Sequence, residues 1–226
     1  MDINLNFIII AAPVILFALT IHEYCHALVA FKLGDDTAAL QGRLTLNPIM
    51  HLDPIGTIMM FLAGFGWARP VPVNPLNFKD PEKGMMLVAI AGPISNIITA
   101  IVAGLALKFI LSDPSFSVET NGGAYNTLVL ILILNVVFGI ALAVFNMIPI
   151  PPLDGSRVLY AYLPRRFADA YGKLEQYGFF FLIIIFIFAG SLFGKFLWYP
   201  ISILSKLITG FDYYYLSYLI QFLTNQ

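Results

Sequence analysis

The chain has 226 residues, of which 59% are hydrophobic and 11% are charged, and its formal net charge is −1. Soluble domains average about 45–50% apolar and about 25% charged residues, so the composition predicts an integral membrane protein. A net charge near zero gives no indication of a nucleic-acid partner, and the single cysteine excludes an intramolecular disulfide.

Five apolar segments are long enough to cross a hydrocarbon core, which takes about 20 residues in a helix. They cover residues 7–33, 84–111, 124–148, 174–194 and 196–224. Pro200, Gly210 and Asp212 interrupt the last segment, which fits either one span with an interfacial tail or two short helices. The sequence therefore predicts an all-α polytopic membrane protein, a single domain over residues 1–226 with about five to six transmembrane helices.

The 34–83 loop between the first two spans has patterns of its own. Residues 39–46 (ALQGRLTL) have strand-like content, and prolines spaced through residues 67–78 favour an extended chain. Residues 56–66 are apolar but too short to span a membrane, which suggests a re-entrant or interfacial piece. We therefore expect a small β or re-entrant element in this loop.

Basic residues are concentrated in two of the loops. The 34–83 loop carries Arg43, Arg69, Lys79 and Lys83, and the 149–173 loop carries Arg157, Arg165, Arg166 and Lys173. The charged residues of the 112–123 loop are all acidic. By the positive-inside rule, the two basic loops are predicted to face the cytoplasm and the N-terminus to lie outside.

The first apolar segment contains the pattern H-E-x-x-H at residues 22–26. Histidines four residues apart lie on one helix face, where they can bind one metal ion, and the intervening glutamate can act as a general base. Core histidines could give the same letters, but ionisable groups within a span are costly unless they are paired or bound to a metal. The pattern therefore predicts His22 and His26 as zinc ligands and Glu23 as the base.

A catalytic zinc needs a third protein ligand at the same depth in the membrane. Residues 146–155 (NMIPIPPLDG) follow the third span at its predicted cytoplasmic end, and Asp154 is the acid within them. The prolines break the helix and let the chain turn a carboxylate back toward the membrane. An Asp-Gly pair after a helix is often only a turn. The matching depth nevertheless favours Asp154 as the third ligand.

The two motifs H-E-x-x-H and N-x-x-P-x-P-x-L-D-G together resemble the site-2 protease family of intramembrane zinc metalloproteases, in its compact bacterial and archaeal form. The stretches at 42–57, 66–75 and 91–96 are also similar to that family, so the resemblance covers most of residues 15–160. It implies a catalytic core at about 15–160, followed by C-terminal helices at 174–224. Cys25 stands where the family more commonly has glycine, and nothing in the chain resembles a PDZ or CBS module.

The resemblance implies one zinc ion per chain, held by His22, His26 and Asp154. It also implies Glu23 as the general acid and base and Asn146 near the substrate carbonyl, although Asn146 could equally hydrogen-bond the backbone at a helix end. The expected substrate is a single-span membrane protein, cleaved within or near its span in regulated intramembrane proteolysis. The expected location is the cell membrane, with the active site toward the cytoplasm.

Two other functions use the same ligands. One alternative is a zinc-binding membrane protein or a metal transporter without protease activity. A transporter would be expected to show further polar residues along a path through several spans, and these spans have few. An inactive relative would have no need of Glu23.

Three further groups of residues have structural readings that we favour over functional ones. Cys25 fits a small residue at a helix contact better than a ligand. His51 with Asp53 fits a surface turn better than a hydrogen bond to a metal ligand. Gly92-Pro93 fits close helix packing.

Overall fold

The structure is a computed structural model that describes residues 5–63, 66–113, 123–174 and 177–224. The helices within those ranges are α1 (Leu5–Lys32), α2 (Thr37–Leu40), α3 (Pro54–Ala63), α4 (Pro81–Leu111), α5 (Gly123–Asn146), α6 (Asp154–Tyr162), α7 (Arg165–Leu174), α8 (Gly178–Thr209) and α9 (Tyr213–Thr224). Short 3-10 turns occur at Pro48–His51 and Pro75–Asn77. The prediction of an all-helical protein is confirmed.

Among the described residues, α1, α4 and α5 are the helices found long and apolar enough to cross a membrane. They coincide with the predicted spans at 7–33, 84–111 and 124–148 to within a few residues. The chain is therefore a membrane protein with at least these three candidate spans.

The C-terminal helices differ from the predicted segments. α8 continues through residue 195, so the predicted division between 174–194 and 196–224 is misplaced. Pro200 lies inside α8, which continues on both sides of this residue although proline lacks the backbone N–H donor. The chain instead turns at Gly210, whose φ of 82° lies outside the helical region, and α9 begins three residues later.

The chain packs as two compact units, each of which has its own interior. The first, here called the bundle unit, comprises Met1–Ala18, Asn96–Val144 and Gly190–Gln226. The second, called the site unit, comprises Leu19–Ser95 and Phe145–Ala189. The prediction of a single domain over 1–226 stays a prediction.

The interior of the bundle unit is apolar and comes from distant parts of the chain. One cluster joins Ala11 and Val14 of α1 to Leu130 and Leu134 of α5. A second contains Leu107, Val129, Ile133, Val137, Leu216 and Leu219, and a third contains Ala100, Ala103, Val136, Ile140 and Ile201. A Cβ added at Gly139 would lie 2.9 Å from the Asn96 carbonyl oxygen, so α4 and α5 approach closely there.

The site unit combines the C-terminal half of α1, the N-terminal half of α4, the short helices α2, α3, α6 and α7, the N-terminal part of α8 and the connecting loops. A small apolar cluster of Ala30, Phe78 and Val88 ties α1, the loop and α4 together. Asp35 is fully buried just after α1, and its carboxylate accepts hydrogen bonds from the Asn74 N–H and the Asn77 side chain, both at 2.7 Å. Burial opposes ionisation of Asp35, but these hydrogen bonds and those from Thr37 outweigh it and lower its pKa.

The expected β element in the 34–83 loop does not form within the residues that the structure describes. Part of the 39–46 stretch belongs to α2, and the chain turns at Gly42, where φ is 68°. The proline-spaced stretch is extended, but its pairing is a single antiparallel bridge between Leu52 and Ala68. Pro70 and Pro72 lack N–H donors, so a ladder cannot continue along this stretch.

The apolar piece at 56–66, predicted as re-entrant or interfacial, contains most of the ten-residue helix α3. Asp53 caps its N-terminus, because the Asp53 carboxylate accepts the Gly56 N–H at 2.7 Å. Gly64 and Phe65 lie outside the described residues, so the structure describes this piece only as far as Ala63 and from Gly66 onward.

Candidate metal centre

α1 carries two buried histidines on one face, one turn apart. His22 is 4% exposed and His26 is 7% exposed, and their ring centroids lie 4.5 Å from each other. The four-residue spacing brings both rings to one side of the helix. Both rings are almost entirely buried and therefore need polar partners.

The third member of the cluster is Asp154, the first residue of α6. Its Oδ2 lies 3.0 Å from His22 Nε2 and 3.4 Å from His26 Nε2. One ligand atom from each of the three residues lies within 4.8 Å of the other two. The structure thus brings together the three residues that the sequence predicted as metal ligands.

The proline-rich turn after α5 sets the position of Asp154. Backbone hydrogen bonds from Ile150 to Ile148 and from Leu153 to Ile150, 2.8 and 3.0 Å long, hold this turn. Gly155 follows Asp154, and a Cβ there would collide with the Met147 carbonyl. The close approach of α6 to the end of α5 therefore requires glycine at position 155.

The geometry fits a metal ion. Asp154 Oδ2 is buried and makes no hydrogen bond of good geometry, although two imidazole nitrogens lie close to it. Burial raises the pKa of Asp154, but the two imidazoles outweigh it and lower that pKa well below its usual range. Two histidines and one ionised carboxylate form the donor set of a catalytic zinc site with an open position.

A backbone carbonyl orients one of the histidines. His26 Nδ1 lies 2.7 Å from the Val88 carbonyl oxygen, so an N–H on Nδ1 donates to that oxygen, and the other ring nitrogen, Nε2, faces the Asp154 carboxylate. Metal-binding histidines are commonly fixed in this way. Nothing in the sequence indicates a role for Val88, because any residue supplies a backbone carbonyl.

Gly92 leaves the space that both rings occupy. A Cβ added at this position would lie 2.5 Å from His22 Nε2 and 2.6 Å from His26 Cε1. The expectation of close packing at Gly92 is correct, but the contact is with the two predicted ligands and not only with a neighbouring helix.

The predicted base faces the same cleft. Glu23 Oε2 accepts a hydrogen bond of 3.0 Å from the Val71 N–H, in the extended stretch after α3. The cleft has a volume of about 300 Å³, and its lining includes His22, Glu23, His26, Pro70, Val71, Asn146, Asp154 and Arg157. Asn146, the last residue of α5, also lines this cleft, and its role near the substrate carbonyl stays a prediction. Arg157 is a lining residue that the sequence did not single out.

Two residues weighed in the sequence lie outside the ligand cluster. Cys25 is partly exposed and is not one of the three clustered residues. His51 is buried, at 2% exposed, with Nε2 2.8 Å from the Thr45 carbonyl oxygen, so its assignment to a surface turn is wrong. The ring contacts the Thr45 carbonyl, and the His51 carbonyl accepts the Arg69 N–H, so His51 joins separate parts of the loop.

Comparison with known proteins identifies relatives that are named zinc metalloproteases. The chain is 42% identical over 173 residues to "Putative zinc metalloprotease YwhC" of Bacillus subtilis, a match that covers 76% of this chain and 78% of that protein. The chain belongs to the site-2 protease family of zinc metalloproteases. Zinc is therefore the metal that this family assigns to the site.

More distant members of the family also match. "Putative zinc metalloprotease Rip2" of Mycobacterium tuberculosis is 30% identical over 190 residues, which cover 81% of this chain and 70% of that protein. "Zinc metalloprotease MJ0392" of Methanocaldococcus jannaschii is 29% identical over 159 residues, which cover 70% of this chain but 34% of that protein. No family model and no solved structure matches the chain.

Proposed function

We propose that the protein is an intramembrane zinc metalloprotease that hydrolyses peptide bonds within or near the transmembrane segments of membrane-protein substrates. The observation that carries the proposal is the convergence of His22, His26 and Asp154 on one point, with two of them in the candidate span α1. Two candidate metal ligands on a candidate spanning helix support chemistry at membrane depth, because unpaired ionisable groups are costly there.

The three clustered residues would hold zinc through two Nε2 atoms and one carboxylate oxygen. When bound, zinc would promote deprotonation of water and polarise a carbonyl group. Glu23 lies next to His22 in sequence and lines the same cleft, so its carboxylate would accept a proton from the attacking water and deliver it to the leaving amine. The Val71 N–H holds Oε2 of that carboxylate and leaves Oε1 to handle the proton.

Asn146 would donate a hydrogen bond to the carbonyl oxygen of the scissile peptide as negative charge develops on it. Its position in the lining of the cleft supports this role. A donor of this kind is worth about 10² to 10³ in rate when it acts on the transition state. Asn146→Ala should therefore lower kcat more than it raises KM.

The test is cleavage of a single-span membrane substrate by purified protein in liposomes, with zinc measured on the same preparations. The expected result is hydrolysis that a chelator removes and added zinc restores. A protein that binds one zinc ion tightly but cleaves none of a set of single-span substrates would instead be a zinc-binding membrane protein or a transporter.

We further propose a multi-pass protein of the cell membrane, one domain over 1–226 with five to six spans, and an active site toward the cytoplasm. The basic residues of the 34–83 and 149–173 loops support this orientation. A reporter fused within residues 112–123 should lie outside the cytoplasm, and a reporter near Arg165 should lie inside it. The reverse pattern would overturn the orientation.

A further inference from the structure

Arg43 is a buried cation near the cleft that the proposed hydrolysis leaves without a role. The residue is 3% exposed, and its guanidinium donates hydrogen bonds to the Arg69 carbonyl at 2.6 Å and to the Pro70 carbonyl at 3.3 Å. Arginine is rarely buried unless its charge is paired or hydrogen-bonded. The two carbonyls are successive, so the planar guanidinium grips one short piece of backbone.

The residue that follows this piece of backbone, Val71, donates a hydrogen bond to the predicted base. The Arg69 N–H donates to the His51 carbonyl at 2.9 Å, Pro70 has no N–H, and the Val71 N–H donates to Glu23 Oε2 at 3.0 Å. From the Arg69 N–H to the Val71 N–H, every backbone polar group therefore has a partner. Arg43 supplies two of these partners and Glu23 supplies one.

The alternating prolines explain why this task falls to side chains. Pro70 and Pro72 flank Val71, so the stretch cannot be held by a β ladder, and its pairing is limited to the single Leu52 to Ala68 bridge. Without a ladder, only side chains and isolated contacts can fix the direction of the Val71 N–H. The buried Arg43 can fix this direction, because its guanidinium binds the two carbonyls that precede Val71.

The charges of Arg43 and Glu23 also interact. Burial lowers the pKa of Arg43, and the negative charge of Glu23 acts in the opposite direction. Arginine stays protonated at neutral pH in spite of such shifts, so a fixed positive charge lies near the base. Arg43 thus connects to Glu23 both through the backbone and through space.

We propose that Arg43 is a positioning residue for Glu23: by clamping the Arg69 and Pro70 carbonyls, it directs the Val71 N–H at one carboxylate oxygen of the base. The inference rests on the proposed hydrolysis, because Glu23 has a base's task only there. Arg43 itself is not required to touch the metal or the substrate. Loss of the clamp should therefore impair the chemical step and leave metal binding intact.

The kinetic test compares Arg43→Gln with Lys79→Gln, which removes a positive charge from an exposed position of the same loop. We expect Arg43→Gln to lower kcat about 10- to 100-fold, since misplacing a catalytic group by about 1 Å can cost about 10²-fold. KM should change less than about twofold and zinc should stay at one per chain. Arg43→Lys, which keeps the charge but not the planar fork, should recover part of the lost kcat. Lys79→Gln should match the wild type.

Hydrogen exchange of peptides covering residues 67–75 gives a readout that does not depend on hydrolysis. Pro70, Pro72 and Pro75 carry no amide hydrogens, so the signal comes from few positions, among them Val71. Arg43→Gln should speed exchange at the Val71 amide, and Lys79→Gln should not. If Arg43→Gln does not fold, the same measurements on Arg43→Lys decide the question.

The possible outcomes separate this inference from the proposed function. A wild-type protein that binds zinc and cleaves nothing would defeat the proposed protease and, with it, the task assigned to Arg43. A cleaving wild type whose Arg43→Gln variant keeps its kcat, loses zinc along with activity, or shows a raised KM at unchanged kcat would overturn the positioning role alone. Unchanged exchange at Val71 would overturn the clamp.

Discussion

The two halves of α1 belong to one continuous helix but are held in place by different physics. The N-terminal half contributes Ala11 and Val14 to an apolar cluster with Leu130 and Leu134 of α5. The C-terminal half contributes His22 and His26, which meet Asp154 and the Val88 carbonyl. Both halves are regular α-helix. They differ in their contacts, which are apolar side chains in the N-terminal half and polar atoms in the C-terminal half.

The difference concerns what each half requires of its residues. Apolar packing depends on volume and shape, so several side chains of similar size can fill the same position. A metal-binding cluster depends on lone pairs directed at one point, and a change of one atom removes a ligand. Replacing a single ligand atom in the C-terminal half should therefore abolish function. Substitutions in the N-terminal half should lower only the stability of the protein, by an amount that depends on the volume removed.

The largest expected effect is loss of the metal in Asp154→Ala. Two histidines on one helix would leave zinc under-coordinated, so both bound zinc and hydrolysis should disappear. Metal analysis and substrate cleavage on one preparation measure both quantities. The control is Asp212→Ala, which removes a carboxylate that is 62% exposed and paired with Lys206. Full zinc occupancy in Asp154→Ala would remove Asp154 from the ligand set.

Glu23→Gln should separate binding from catalysis within the C-terminal half. Glutamine keeps the size of the side chain and an oxygen that can accept the Val71 N–H, but it cannot take up a proton. General-base contributions are about 10² to 10⁴-fold, and loss of the predicted base should reach the upper end of that range. Zinc should remain near one per chain. Cleavage at the wild-type rate would show that Glu23 is not the base.

A smaller loss is expected when the space for the histidine rings is filled. Gly92→Ala places a Cβ within 2.6 Å of both rings, so they must shift, and activity should fall about 10- to 100-fold with weakened zinc affinity. Gly194→Ala is the matched control, because a Cβ there meets nothing within 4 Å. Equal zinc affinities in the two variants would show that the rings adjust without consequence.

The smallest effect on activity is expected in the apolar cluster that packs against the N-terminal half of α1. Leu134→Ala should lower the free energy of unfolding by about 2–5 kcal/mol through the cavity it leaves, with zinc content and kcat close to the wild type. Leu134→Met, which conserves volume, should cost less than about 1.5 kcal/mol. Thermal unfolding in detergent measures the two. A Leu134→Ala variant that folds normally but loses zinc would contradict the contrast between the two halves of α1.

The predicted ligands could be read from the sequence because their spacing is tied to helix geometry. Residues four apart in a helix lie on the same face, so the spacing of His22 and His26 was enough to pair them. Asp154 was predicted from its depth in the membrane and from the prolines before it. The helices α1, α4 and α5 were predictable for a similar reason, since a long apolar run in a membrane has few alternatives to a helix.

The sequence was a poor guide where neighbouring segments decide the outcome. It suggested strand-like structure at 39–46 and a small β element in the 34–83 loop, but α2 and the prolines leave a single bridge among the described residues. It placed a division near residue 195, whereas α8 continues to Thr209. It placed His51 on the surface, although the ring is buried against the Thr45 carbonyl.

The sequence by itself determined the membrane character of the protein and indicated the three residues of its candidate metal centre, because hydrophobicity, helix periodicity and the prolines before Asp154 can be read from short stretches of sequence. Only the tertiary structure decided which backbone groups orient those residues. The Val88 carbonyl on His26 and the Val71 N–H on Glu23 come from positions 62 and 48 residues away. Backbone groups are chemically alike in every residue, so their partners are chosen by the path of the chain in space and leave no mark on the sequence.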